Sequence, residues 1–213
     1  MGIINVTPDS FSGDGLGHDI DAAVKQAKRF VADGADIIDV GGESTRPGSA
    51  SISIDEEMRR VIPVIEHLAG EMTVPLSIDT CKAEVARRAL NAGAQMVNDI
   101  WGLKRDPKLA QIAAEKRVPV ILASNQRDES YAGDVITEVT FSLRRSIELA
   151  LSSGVSGENI IIDPGIGFGK TPEQNLEIIR RLDEFKSLGR PLLIGPSRKS
   201  VIGLVLNLPV EQR

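Results

Sequence analysis

The chain has 213 residues, with 25 Lys+Arg against 30 Asp+Glu and 41% hydrophobic residues, a composition that suits one large globular domain or two small ones. A formal charge of −5 argues against a nucleic-acid or anionic-membrane binder, and no apolar run reaches the roughly 18 residues of a spanning helix. One cysteine and two histidines, His18 and His67, exclude a disulfide framework and Cys- or His-rich metal sites; with no secretory leader, the chain reads as a cytoplasmic protein that handles small anionic molecules.

Strand-like and helix-like runs alternate from the start. Ile3–Val6 predicts the first strand, and its end runs into the loop Asn5–Ser12 and the glycines 13, 15 and 17. Asp21–Asp33 carries Ala22, Val24, Ala27, Phe30 and Val31 at helical spacing and stops at Asp33–Gly34. Asp36–Val40 predicts the second strand, followed by the Gly-rich segment Gly41–Gly48 and an amphipathic window over Asp55–Leu68. The third strand, Pro75–Ile78, precedes Asp79–Thr80 and a helix over Ala83–Ala92. The fourth, Ala94–Val97, precedes Asn98–Asp99 and a helix over Pro107–Glu115. Val118–Leu122 predicts the fifth, then Ser124–Asp128 and a helix over Val135–Leu151. Asn159–Ile162 predicts the sixth, then Asp163–Lys170 and a helix over Thr171–Phe185 opened by Thr-Pro. Pro191–Ile194 predicts a seventh strand, and Gly195–Ser200 leads into the start of a seventh helix.

Seven βα units in series imply a parallel sheet with helical crossovers, and strands that read as continuous apolar runs are expected to be buried on both faces. A doubly wound sheet concentrates its site at one switch point, whereas a barrel gathers every strand end around one mouth. Polar, Gly-rich clusters follow all seven strands here, and no G-x-G-x-x-G follows the first. The expectation is therefore a single-domain (β/α)8 TIM barrel over residues 1–213. About seven βα units are present; a full barrel takes about 250 residues, so the chain reads as C-terminally incomplete, without the eighth strand and helix.

The strand-end clusters are N-V-T-P-D-S-F-S at Asn5–Ser12, G-G-E-S-T-R-P-G at Gly41–Gly48, S-I-D-T at Ser77–Thr80, N-D-I at Asn98–Ile100, D-P-G-I-G-F-G-K at Asp163–Lys170 and G-P-S-R-K-S at Gly195–Ser200. Six collinear motifs resemble the dihydropteroate synthase family of folate biosynthesis. The resemblance implies a homodimeric barrel. It also implies a transferase that joins 6-hydroxymethyl-7,8-dihydropterin diphosphate to 4-aminobenzoate, with Mg2+, giving 7,8-dihydropteroate and diphosphate.

Residue by residue, the resemblance assigns the pterin edge to Asp79, Asn98, Asp163, Gly195 and Lys199. A carboxylate can accept two parallel N–H bonds from an aminopyrimidine edge, which makes the assignment physically apt. Asp79 could alternatively cap the helix that follows it. The aminobenzoate is assigned to Pro47, Phe168 and Ser200, although packing in the core is the commoner fate of a phenylalanine. Asn5 is assigned to Mg2+ and, with Thr45, Arg46 and Lys199, to catalysis. Cys81 reads as a small buried residue, with no histidine near it in the pattern.

Two departures stand out. Ala123-Ser124 takes the place of the Met-His usual in the family at the fifth strand end, which removes a side chain that packs on the pterin. The Arg and His that the family carries on its eighth strand have no counterpart before Arg213. Two alternatives to an active synthase therefore stand beside it: a pterin-dependent methyltransferase, which would have no use for the aminobenzoate apparatus, and a pterin-binding remnant with impaired turnover.

Overall fold

The structure, a computed structural model, describes residues 1–7, 20–45, 49–125, 127, 133–209 and 212. Residues 8–19, and with them most of the first loop and His18, lie outside the described residues, as do Arg46, Pro47, Gly48 and Tyr131. Two compact units divide the chain, residues 1–98 and 99–213.

The first unit is a parallel sheet with a helix after each of its first three strands. The strands are β1 (Gly2–Asn5), β2 (Ile38–Gly41), β3 (Leu76–Asp79) and β4 (Met96–Asp99), the last running to the unit boundary. The helices are α1 (Ile20–Ala32), α2 (Ile54–Glu71) and α3 (Ala83–Asn91). In-register pairing aligns Ile4 with Val40, Val40 with Ile78, and Ile78 with Val97. All four are fully buried, so this row is the sheet's apolar face. Ala23 and Ala27 of α1 and Val61, Val64, Ile65 and Leu68 of α2 are buried at helical spacing. Ser53 caps α2 by accepting the Glu56 amide at 3.1 Å. Gly34 and Gly93 follow α1 and α3 with φ of +97° and +118°, the backbone that the Asp-Gly and Ala-Gly stops anticipate.

The second unit begins with α4 (Lys108–Lys116) and continues through β5 (Val120–Ala123), α5 (Val135–Ser152), β6 (Ile160–Asp163), α6 (Pro172–Arg180) and α7 (Ser200–Leu206). β5 and β6 pair in parallel, from Val120↔Ile160 to Ala123↔Asp163. Thr171 and Gln174 form a reciprocal capping box at the start of α6, with Pro172 at its first position.

Three sequence expectations need correction. The run Pro191–Ile194 makes a single parallel bridge, Ile162↔Leu192, and no named strand. The helix over Thr171–Phe185 ends at Arg180 and gives way to a 3-10 segment at Leu182–Leu188, which turns Phe185 fully inward. Burial on both strand faces fails in β1, where Ile3 is 53% exposed.

Candidate active site

The register of the first unit sets four strand ends in one row. Asn5 pairs with Gly41, Gly41 with Asp79, and Asp79 with Asn98. Side chains alternate along a strand, so residues two positions earlier share the face of this row. Those residues are Ile3, Asp39, Ser77 and Met96. One face of the sheet is thus apolar, and the other carries a polar cluster at its carboxyl end.

Asp39 and Ser77 are buried in that cluster. Asn98 donates its side-chain amide to Asp39 Oδ2 at 2.9 Å. Asp39 Oδ1 and Ser77 Oγ make no hydrogen bond. Burial raises the Asp39 pKa, against the downward pull of the neighbouring Ser77 and Asn98 side chains. The bond to Asp39 fixes the orientation of the Asn98 amide, leaving its oxygen on the side away from the donor. Asp79 lies against the α-carbon of Gly41, where an added Cβ would sit 3.4 Å from its Oδ2. It does not cap α3; the N-cap position is Lys82.

The segment after β2 is held from beneath. Lys82 ion-pairs with Glu43, meets Glu57 Oε2 at 2.5 Å and donates to the Ile52 carbonyl at 2.9 Å. Burial pulls the Lys82 pKa down, but the two glutamates together lift it above its ordinary value. Arg60 donates to the Gly42 carbonyl at 3.0 Å. Thr45, half-buried, follows this braced stretch.

The second unit carries its own cluster. Asp163, at the end of β6, is buried and accepts the Gly165 amide at 2.8 Å through Oδ1. Burial raises its pKa, while that amide, Lys199 and Lys170 pull the other way. Gly165, Gly167 and Gly169 all have φ between +72° and +79°, so the turn after β6 curls tightly and presents its carbonyls to one side. Lys170 donates to Ser124 O at 2.8 Å, Gly165 O at 2.9 Å and Phe168 O at 3.2 Å. Lys199 takes the Ile166 carbonyl between them. Burial draws the Lys170 pKa down to about 7; Asp163 opposes the fall, and Lys199, Lys104 and Arg127 add to it.

Phe168 is buried, with Lys199 Nζ 4.4 Å and the Arg127 guanidinium 4.9 Å from its ring centroid. It is therefore both a packed residue and the ring beside the site lysine. Gly195 lies next to Lys199, since an added Cβ would come 4.0 Å from Nζ. Lys199 is the N-cap residue of α7, and Ser200 is the first residue of that helix and exposed. Cys81 is partly exposed, not buried. In the N-D pair, Asn98 faces Asp39, whereas Asp99 folds the next turn by accepting the amides of Trp101 at 2.9 Å and Leu103 at 2.7 Å.

Sequence reasoning missed Asp39, Ser77, Lys82 and Lys170 as members of these clusters. The first two had a usable signal: each lies two residues before a strand-end residue, on the same face. Among the described residues no group of three His, Cys, Asp or Glu could hold a metal. What the clusters offer is buried carboxylates with one committed oxygen, an oriented amide and ammonium groups. In each unit, a buried carboxylate with an oxygen left open can accept N–H bonds from the edge of a flat heterocycle.

Comparison with known proteins agrees with this chemistry. The family model described as "Pterin binding enzyme" matches residues 1–213. The dihydropteroate synthase of Clostridium beijerinckii is 53% identical over 213 residues, covering 100% of this chain and 79% of the relative. The crystal structure of dihydropteroate synthase from Clostridium difficile in the presence of pteroic acid superposes with a TM-score of 0.93 at 51% identity, covering 100% of this chain and 81% of that one. The Xanthomonas albilineans dihydropteroate synthase with 4-aminobenzoic acid gives 0.93 at 44% identity, covering 100% and 78%. The likeness runs through both units and carries the α/β barrel fold class with it. The chain belongs to the dihydropteroate synthase family of pterin-binding enzymes.

Proposed function

We propose that this chain condenses 6-hydroxymethyl-7,8-dihydropterin diphosphate with 4-aminobenzoate to give 7,8-dihydropteroate and diphosphate. The observation that carries the reading is the 53% identity to a dihydropteroate synthase along the whole chain, with strand ends bearing the groups this chemistry needs. The same identity favours the synthase over the methyltransferase alternative.

In this reading Asp163 accepts the aminopyrimidine N–H groups through the oxygen that Gly165 leaves open, and Asp79 and Asn98 hold the rest of the pterin edge. Lys199 donates to the ring, with Gly195 beside its ammonium. The aminobenzoate ring lies along Phe168 and Pro47, with its carboxylate at Ser200. The aryl amine is neutral and a weak nucleophile, so the C–O bond to diphosphate loosens first, with the pterin ring stabilising charge at the exocyclic carbon. The nitrogen lone pair then forms the C–N bond, diphosphate leaves with the C–O electron pair, and the nitrogen releases a proton to solvent. The protein supplies positioning and charge stabilisation, and the diphosphate is the part of the substrate assigned to Thr45 and Arg46.

Asn5 is the residue that would touch Mg2+. Magnesium usually keeps several waters and binds through one or two protein groups plus substrate phosphates. An amide oxygen on a strand end, with no larger acidic cage among the described residues, fits that partial donor set. When bound, the ion neutralises diphosphate charge. The family resemblance further implies a homodimer. The test is mass spectrometry of a reaction holding both substrates: dihydropteroate is expected, and its absence from folded protein would reject the reading.

A further inference from the structure

The turn Gly165–Phe168 has an unusual internal demand. Three left-handed glycines aim the carbonyls of Gly165, Ile166 and Phe168 where cations must receive them. Unpaired buried carbonyls are costly, so whatever receives them fixes the shape of the turn. Lys199 takes Ile166 O and also lies over the Phe168 ring. Lys170 takes the other two and adds Ser124 O from the end of β5. An ammonium has three N–H donors and no acceptor, and all three of Lys170 are committed to backbone carbonyls. It therefore has no donor left for substrate. On the far side, the buried Asn175 accepts the Gly167 amide at 2.7 Å and donates to the carbonyls of Lys170 and Thr171 at 3.2 and 2.8 Å. The turn is thus clamped from both sides, and it carries the Phe168 ring against Lys199 Nζ.

We propose that Lys170 is a positioning residue for the aminobenzoate half of the reaction: its ammonium ties the turn after β6 to the end of β5 and so sets the Phe168 ring against Lys199. The proposal rests on the reading that Phe168 lines the aminobenzoate ring. Losing the ammonium leaves three carbonyls competing for water, and the turn relaxes. Phe168 then samples several positions, which weakens aminobenzoate binding more than pterin binding.

The experiment compares the parent chain with Lys170→Met, Lys170→Gln and Phe168→Ala. It reads KM for 4-aminobenzoate, kcat, the calorimetric Kd of 6-hydroxymethyl-7,8-dihydropterin, and hydrogen exchange of the peptide spanning 164–169. Lys170→Met is expected to raise the aminobenzoate KM about tenfold or more, to change the pterin Kd by less than about threefold, and to speed exchange of that peptide alone. Lys170→Gln serves if the Met variant does not fold, with the same direction expected. In a Cys81→Ala background, Lys170→Cys alkylated with 2-bromoethylamine regains an ammonium at that position and is expected to restore KM and exchange. An unchanged KM in Phe168→Ala removes the reading beneath the proposal. A raised KM in Phe168→Ala with an unchanged KM in the Lys170 variants overturns the positioning role alone. Equal losses of pterin and aminobenzoate affinity in the Lys170 variants overturn it too.

Discussion

Replacing Lys82 by methionine isolates the ion cluster under the segment after β2. Glu57 is 1% exposed, and Lys82 lies 2.5 Å from its Oε2. The same ammonium pairs with Glu43 and donates to the Ile52 carbonyl, so one substitution strips the counter-charge from two carboxylates. Removing one member of a buried pair typically costs about 3–5 kcal/mol, because the remaining charge stays desolvated. The effect here belongs at the lower end, since Glu43 is partly exposed and can turn to water. A loss of about 3 kcal/mol is a large share of the roughly 5–15 kcal/mol that holds most domains folded. Urea unfolding with linear extrapolation reads it directly. Pairing Lys82→Met with Glu57→Leu removes both charges together and is expected to recover most of the loss. A single variant within about 1 kcal/mol of the parent would refute the reasoning, as would a double variant worse than the single one.

Other outcomes follow from the same geometry. Burial lifts the Asp99 pKa from 3.8 to about 6, so between those values the folded chain holds a proton that the unfolded chain has lost. Its stability contribution is complete below pH 3.8 and is lost as pH rises through about 6, worth about 3 kcal/mol at 1.36 kcal/mol per pKa unit; the difference in urea midpoints between the parent and Asp99→Asn across that range measures it, and a pH-independent difference contradicts it. Gly102→Ala places a Cβ 2.5 Å from Ser146 Oγ and 2.8 Å from Ala123 O at a φ of +59°, and is expected to destabilise the fold by about 1–3 kcal/mol in the same assay.

Most strands and helices were legible because their signals are local. The windows Ala83–Ala92 and Val135–Leu151 match α3 and α5 to within a residue, since amphipathic spacing and a following glycine or serine mark both ends. The seventh strand was not legible in this sense: Pro191–Ile194 has strand composition, but pairing is a property of neighbours, and here only Leu192 makes a bridge. Strand-end residues could be placed because Asn5, Asp79, Asn98 and Asp163 punctuate apolar runs. Asp39 and Ser77 sit inside such runs and read as ordinary strand until the register shows which face they share. Lys170 closes the motif after the sixth strand, but its role was not legible there, because it depends on carbonyls that only the folded turn brings together.

The central claim is that a buried carboxylate at the end of β6 holds the pterin edge. Asp163→Asn tests it while preserving size. Oδ1 is committed to the Gly165 amide, so in the variant the amide NH2 takes the place of the oxygen left for the pterin and faces its N–H groups. Losing a charge-assisted hydrogen bond in this way costs about 1.5–3 kcal/mol, or ~10- to ~150-fold in affinity. Calorimetric titration with 6-hydroxymethyl-7,8-dihydropterin, alongside near-ultraviolet circular dichroism to confirm the fold, is the direct measurement. The account predicts that loss with an intact spectrum; parent-like affinity in the folded variant would contradict it.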